Sequence, residues 1–289
     1  MAYRFKSGDG STSEALRRIA AEEFAAIGSA LADKSVPLHR KVHEGRKATK
    51  RLRALLRLVA PVLPDARDEI AALRDAAAQL SALRDKSALA ETLARLDLPE
   101  DVSANLGAAL NKRRSAGAAA QKRLLASFGG EMGAAAGRAQ SWTLTQTGWH
   151  ALAPGLQRSH RRFRKSFESA RRGQDEDLVH EFRKRAKDHW YQTLLLRGAF
   201  PEVMYGYAAA AERLCDDLGD WRDLGLLKAA LMDVPAHRLA KSDAVAALAL
   251  ISNARRRALR RAFLTARRLT GETPGAYTAR LAAWSKSRS

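Results

Sequence analysis

The chain has 289 residues and a formal net charge of +20 at pH 7, with 51 lysines and arginines against 31 acidic residues. This net charge is far larger than the magnitude of about 2 to 8 that suffices to keep a small domain soluble. It therefore predicts a polyanionic partner. The single cysteine, Cys215, excludes an internal disulfide and cysteine-based zinc sites, which favours a reducing, cytoplasmic location.

Helix caps and helix breakers predict eight helices. Only 8 prolines interrupt the chain, and alanine and leucine dominate, so intrinsic propensities favour an all-α fold. The first four predicted helices run from Ser11 to about Lys34, from Pro37 to Pro61, from Asp65 to about Leu96 and from Pro99 to about Phe128. A flexible boundary is predicted next, at Gly129, Gly130, Gly133 and Gly137. The last four run from about Pro154 to Arg172, from Asp175 to Arg197, from Pro201 to about Met232 and from about Ser242 to Leu269.

The two parts of the chain carry related motifs. The segment Val42–Lys50 matches Val179–Lys187, which lies 137 residues later, at six of nine positions. A second pair of motifs, 138 residues apart, lies in the third predicted helix of each half: Arg84-Asp85 and Arg222-Asp223. Two matches at almost one displacement indicate an internal duplication. We therefore predict two pseudo-symmetric four-helix bundles, formed by residues 1–148 and 149–289.

The first repeat places its basic residues on one face of a helix. At about 100° per residue, the cations that follow His43 lie on one side and the leucines lie on the other. The basic face spans about 21 Å from His43 to Arg57, which suits a linear, densely charged ligand. Arginine donates paired hydrogen bonds to phosphate and lysine adds a mobile charge. The candidate residues of this face are His43, Arg46, Lys47, Lys50, Arg53 and Arg57.

The second repeat keeps the same basic spacing over a shorter length. Its candidate residues, at i, i+3, i+4 and i+7, are His180, Arg183, Lys184 and Lys187. Asp188 and Trp190 then stand where the first repeat has Arg51 and Arg53, so a shorter track is predicted. A run of charges on a helix is most often only a solvated face. Here, however, like charges recur at matched positions in both repeats, and their repulsion destabilises the fold unless a bound anion offsets it. The predicted helix that starts near Pro154 adds further basic residues, whose faces the sequence does not specify.

The histidine motifs do not predict a metal site. Lys47 and Lys184 stand where a His-Glu-x-x-His motif would have its second histidine, and cations crowd the same turn. We therefore expect no metal and no cofactor, and we assign the histidines to phosphate binding. The Arg-Asp pairs could be catalytic or structural. We interpret them as supporting residues that orient the basic helices: Arg84, Asp85, Arg222 and Asp223.

Together these motifs resemble the CHAD family, the conserved histidine α-helical domain. Each histidine motif is followed, 41 or 42 residues later, by an Arg-Asp pair, and the resemblance covers nearly the whole chain. It implies two pseudo-symmetric helical bundles, binding of inorganic polyphosphate, and a cytoplasmic location on polyphosphate granules. It also implies that the candidate residues of both repeats contact the ligand, and it adds Arg161, which is similar to a basic position of the family.

A non-enzymatic polyphosphate-binding protein is the leading hypothesis, because the chain has no P-loop, no Glu-x-Glu-x-Lys motif and no carboxylate cluster for Mg²⁺. Nucleic acid is the alternative polyanion, although aromatic residues are only 6% and do not interleave with the basic face. An enzyme or regulator acting on phosphorylated compounds is the third hypothesis. The sequence has no apolar run of about 18 residues and no apolar N-terminal segment, so we expect no membrane span and no signal peptide.

Overall fold

The computed structural model describes residues 3–6, 8–80, 86–111, 117–173, 175–235 and 239–286, and within them the protein is all-α without strands. The eleven helices described there are α1 (Thr12–Ala32), α2 (Leu38–Val59), α3 (Ala66–Gln79), α4 (Lys86–Ala94), α5 (Glu100–Asn111), α6 (Ala118–Ala139), α7 (Gly148–Gly173), α8 (Glu176–Leu196), α9 (Pro201–Met232), α10 (Lys241–Leu269) and α11 (Pro274–Lys286). Among these helices, none combines the length and the apolar character needed to cross a bilayer.

Helices with a clear local start signal begin where the sequence predicts. Ser11 caps α1 by accepting a hydrogen bond from the Glu14 N–H at 3.1 Å, and Asp175 caps α8 through the N–H of Asp177 at 2.7 Å. Helices α2, α9 and α10 also agree with their predicted bounds to within about two residues. Two predicted helices each correspond to two observed ones, α3 and α4 to the first, and α5 and α6 to the second, with α6 ending at Ala139 and not near Phe128. The predicted start at Pro154 is wrong, because α7 begins at Gly148 and contains Pro154 in its interior.

The predicted flexible boundary at the four glycines is wrong, because α6 continues through all of them to Ala139. The opposite side of α6 carries apolar residues that are buried at helical spacing: Phe128, Met132, Ala135 and Ala139. Burial of this side against α1 and α3 outweighs the low helix propensity of glycine. Helix α11 was not predicted, although Pro274 is a typical first helical residue and both Tyr277 and Leu281 are fully buried.

Helix α2 is the central element of the packing. It contacts four other helices, α1, α3, α7 and α8. The α7 backbone approaches it so closely at Gly155 that a Cβ there would lie 1.8 Å from the Leu58 carbonyl oxygen. From α8, the buried Gln192 donates a hydrogen bond to the Ala54 carbonyl at 3.2 Å. The fully buried residues of α2 include Leu52, Leu55, Leu56 and Leu58.

Three apolar clusters connect helices from early and late parts of the chain. The largest is built mainly on α1, α2, α3 and α6, and it extends to Leu156 of α7, Leu195 of α8 and Leu281 of α11. A second cluster lies among α7, α8, α9 and α10. The third joins α4 and α5 to α9 and α10, through residues such as Leu106 and Leu227. The first cluster joins α2 to α8, the helices that carry the two histidine motifs, and the second cluster packs α8 against α7, α9 and α10.

Alanine at two exposed glycines of α6 is expected to stabilise the protein. A Cβ at Gly130 or Gly133 would meet nothing within 4 Å, so Gly130→Ala and Gly133→Ala should each raise the free energy of unfolding by about 0.5–1 kcal/mol. Gly155→Ala is the contrast, because its Cβ would clash with the Leu58 carbonyl, and a loss of about 1–3 kcal/mol or more is expected. Urea unfolding measures all three changes. Equal effects at the three positions would contradict the close approach of α7 to α2.

Candidate functional site

The packing of α8 against α2 brings the two histidine motifs together. Arg46 and Lys50 extend from α2, Arg183 and Lys187 from α8, and Arg222 from α9, and the positive charges of the other four act on Lys50. We call these five residues the central cationic cluster. The sequence predicted four of them as ligand contacts and assigned Arg222 only a supporting role. The structure places Arg222 beside these four, close enough for its charge to act on Lys50.

Lys50 lies at the centre of this cluster. Burial of its ammonium group, together with the charges of Arg183 and Arg46, lowers the pKa of Lys50 from 10.5 to about 7. Burial also lowers the pKa of Arg46 and of Arg222. A bound anion would have the opposite effect, because a nearby negative charge favours the protonated amine. The cluster therefore has the electrostatic properties of an anion site.

The cluster is only partly neutralised by carboxylates. Arg222 pairs with the adjacent Asp223 at 3.2 Å. Within the described part of the chain, Lys50, Arg183 and Lys187 form no ion pair with a carboxylate. The Arg183 Nε atom is buried and has no hydrogen-bond partner, and the Lys187 Nζ atom lies 4.3 Å from the centre of the Trp190 ring. Three basic side chains of the cluster thus have no carboxylate partner within the described part of the chain.

Both histidines of the motifs lie beside the cluster, partly buried and partly open to solvent. Burial is the largest cause that lowers the pKa of His43, and Lys47 and Lys50 add to the effect. The pKa of His180 is lowered in the same way, by burial and by Lys184 and Arg183. Neutral imidazoles are therefore favoured in the free protein, and a bound anion would favour their protonation.

The second lysine of each motif is held by the glutamate of the same motif. Lys47 Nζ lies 3.3 Å from Glu44, and Lys184 Nζ lies 2.5 Å from Glu181. Both pairs are only partly buried, so each neutralises its lysine without removing it from solvent. Among the residues that the structure describes, no group of three His, Cys, Asp or Glu side chains could hold a metal ion.

The C-terminal part of the α2 basic face has a different environment. Arg57 forms an ion pair with the buried Asp188 of α8 at 2.8 Å, and Arg185 approaches the same carboxylate at 3.1 Å. Burial, with Arg57 nearby, lowers the pKa of Arg53 to about 10, and the Arg53 Nε atom has no hydrogen-bond partner. The sequence predicted Arg57 as a ligand contact, and the structure places it in an ion pair that joins α2 to α8. Asp188, the residue that breaks the repeat, supplies the countercharge.

Helix α7 contributes a residue that sequence reasoning did not assign. Burial lowers the pKa of Arg162, and the nearby charges of Arg185, Arg158 and Arg57 lower it further. The signal was present in the sequence, because Arg158 and Arg162 are spaced i and i+4 on a helix. Only the packing of α7 against α2 and α8 identifies these two arginines as the ones that extend the positive field.

The remaining candidate residues lie apart from the central cationic cluster or outside the described residues. Arg161 is exposed on α7, and within the described part of the chain it forms no hydrogen bond or ion pair with a residue of the cluster. Arg84 and Asp85 lie outside the described residues. His160, on the same basic helix as Arg161, is a core residue that stacks on Tyr277 with ring centres 4.3 Å apart, and burial lowers its pKa to about 4.

Removal of the Lys50 charge is expected to stabilise the free protein near neutral pH. Because an unfolded lysine has a pKa of about 10.4, the unfolded state binds more protons than the folded state between about pH 7 and pH 10. The free energy of unfolding of the wild type therefore rises with pH across this window, because the cost of burying the charged Lys50 ammonium disappears as the amine loses its proton. The variant Lys50→Met lacks this pH dependence, so its stability advantage should be largest at about pH 6 and shrink towards about pH 10. Denaturant unfolding of both proteins across this range measures the difference, with Lys165→Met as an exposed control. A difference independent of pH would contradict the lowered pKa of Lys50.

Comparison with known proteins assigns the family. No curated protein and no solved structure matches the chain. The family model of the CHAD domain matches residues 13–232, a region that contains both histidine motifs and all five residues of the central cationic cluster. Helices α10 and α11 follow the matched region. Because the match extends over most of the chain, the chain belongs to the CHAD domain family.

Proposed function

We propose that the protein binds inorganic polyphosphate, without catalysis, through the central cationic cluster. The observation that carries the proposal is the convergence of five cations from α2, α8 and α9 around Lys50, three of them without a carboxylate partner among the described residues. Like charges brought together in this way oppose folding unless an anion offsets them. The CHAD domain is a family associated with polyphosphate binding, which supports the same ligand.

The composition of the cluster suits a chain of phosphates. The guanidinium groups of Arg46, Arg183 and Arg222 can each donate two hydrogen bonds to phosphate oxygens. Lys50 and Lys187 add point charges that tolerate shifts of the ligand along its length. His43 and His180 flank the cluster on the two motifs and would extend the contact in both directions. Because polyphosphate repeats one anionic group, it can satisfy all these donors at the same time.

A binding role is supported by the state of the acidic residues nearby. Asp223 is paired with Arg222, Glu44 with Lys47 and Glu181 with Lys184. Phosphoryl transfer requires carboxylates that hold Mg²⁺ beside the reacting phosphate. These three carboxylates neutralise cations, which supports a role in holding phosphate over a role in transferring it.

We also propose that residues 1–148 and 149–289 are two pseudo-symmetric halves that arose by duplication. In support, each histidine motif lies on a helix at the centre of the packing, α2 or α8, and each repeats the same lysine–glutamate pair. The two halves would together form one CHAD domain. A protein with this ligand would reside in the cytoplasm, on polyphosphate granules.

A competition titration tests the ligand. Labelled long-chain polyphosphate bound to the protein is challenged with duplex DNA, single-stranded RNA and orthophosphate over a series of salt concentrations. Polyphosphate should remain bound in excess nucleic acid, and its affinity should fall with salt because binding releases counterions. Displacement by nucleic acid at an equal phosphate concentration would contradict the proposal and indicate that nucleic acid is the ligand. Release of orthophosphate from polyphosphate by the protein, with or without Mg²⁺, would contradict a non-enzymatic role.

Charge reversal tests the site. The double variant Lys50→Glu with Arg183→Glu removes two charge-assisted contacts of about 1.5–3 kcal/mol each, so polyphosphate affinity should fall by about 100-fold or more. The control, Arg67→Glu with Arg123→Glu, makes the same change in net charge at exposed positions of α3 and α6. It should weaken binding only slightly. Fluorescence anisotropy measures binding, and circular dichroism verifies folding; Lys50→Gln with Arg183→Gln replaces the double reversal if the latter fails to fold. Equal losses from both pairs would show that only overall charge attracts the ligand.

A further inference from the structure

A second surface feature of the molecule is an open apolar groove between α1 and α6. Its volume is about 1130 Å³, and none of its lining residues belongs to the central cationic cluster. Along α1 it extends from Arg17 to Ala32, a distance of about 22 Å. Pockets for small molecules are usually about 300–1,000 Å³ and more compact. The length and volume of the groove suit an elongated ligand.

Small residues form the exposed floor of this groove. On α1 they are Ala21, Ala25, Gly28 and Ala32, and on α6 they include Ala126 and Gly133. Larger apolar residues lie beneath them and are buried: Phe24, Ile27 and Met132. The surface is therefore a shallow apolar trough with a rigid base, and a ligand could approach both helix backbones closely.

No contact within the described part of the chain requires glycine at the glycine positions of the groove floor. A Cβ on Gly28 or Gly133 would meet nothing within 4 Å, and one on Gly129 would meet only Leu31, at an ordinary 3.4 Å. Glycine weakens a helix, so a buried helix normally has it where a neighbour comes close. Here no described part of the chain comes close. The helix backbones at these positions are therefore open to close approach.

Positive charge borders the groove at both ends. Arg17 lies at one end, and Lys41 and Lys122 lie at the other. Arg17 donates to the Trp142 carbonyl at 3.0 Å and Lys41 donates to the Leu31 carbonyl at 2.8 Å, so backbone contacts orient both side chains without neutralising them. Among the described residues, no carboxylate lines the groove. Its ends are therefore complementary to negative charge.

We propose that this groove binds an amphipathic helix of a partner protein, about four turns long, with small apolar side chains on the contact face and carboxylates at both ends. A helix that lies in an apolar groove uses anchors at i, i+3, i+4 and i+7, and about four turns span the observed 22 Å. A second copy of this chain would bring another basic protein of charge +20 to the same cationic rim. The ordered ends of the chain are placed elsewhere, since Tyr3 is buried in the core and α11 packs on α7.

A displayed library of helical peptides tests the proposal. Each peptide has 16 residues, a fixed apolar stripe of alanine and leucine, and end positions that vary among Glu, Gln and Lys. The library is selected on the wild-type protein and, in parallel, on Gly133→Leu, which fills the groove without changing the net charge. Peptides with Glu at both ends should be enriched on the wild type and not on the filled variant. The best peptide should then bind at least tenfold more weakly to Lys41→Gln with Lys122→Gln.

Binding of polyphosphate by Gly133→Leu serves as the folding control and separates the two sites. It should equal that of the wild type, because the groove shares no residue with the central cationic cluster. The proposal is overturned if no peptide prefers the wild type over Gly133→Leu, or if Gln or Lys ends are enriched equally. It is also overturned if palmitate, or a dimer detected by sedimentation, occupies the wild-type groove and is lost in Gly133→Leu.

Discussion

The contact between α2 and α8 is the interaction on which the rest of the structure depends, because it holds like charges together. The charges of Arg183 and Lys187 act on Lys50, and that of Arg183 acts on Arg46, so repulsion opposes the contact between the two helices. Apolar burial on the other side of α2 opposes that repulsion, with leucines that contribute about 1.5–3 kcal/mol each when fully buried. The cluster is therefore maintained by the core and not by contacts among its own members.

The basic residues at the two ends of this helix pair differ in whether a carboxylate neutralises them. At one end, Asp188 neutralises Arg57 and Arg185, and the buried ion pair fixes the position of α8 on α2. Loss of one partner from such a buried pair leaves an uncompensated charge, which is far more destabilising than loss of an exposed pair. At the other end, Lys50 and Arg183 have no such partner among the described residues. One end of the interface thus joins the helices through an ion pair, and the other leaves Lys50 and Arg183 without a carboxylate partner in the described part of the chain.

Helix α6 shows why the sequence was an incomplete guide to the fold. Its four glycines have low helix propensity, and local rules predict a flexible segment there. The residues that decide the outcome are Phe128 and Met132, which are buried by α1 and α3, elements distant in the sequence. The same tertiary burial accounts for α11, whose buried Tyr277 and Leu281 lie in the core that α2 and α8 share. By contrast, the caps at Ser11 and Asp175 act within one turn and were predictable.

The sequence by itself determined the all-α class, most helix starts, the cationic composition and the two histidine motifs, because each of these depends on residues within a few turns of one another. It also placed His43, Arg46 and Lys50 on one helical face, since helical spacing alone decides which side chains share a face. Only the tertiary structure decided which of those cations meet. It brought Arg222 into the central cationic cluster, paired Arg57 with Asp188, selected Arg162 on α7 and buried His160 in the core. Each of these outcomes depends on the packing of helices that are far apart in the sequence, and residue spacing along one helix carries no information about that packing.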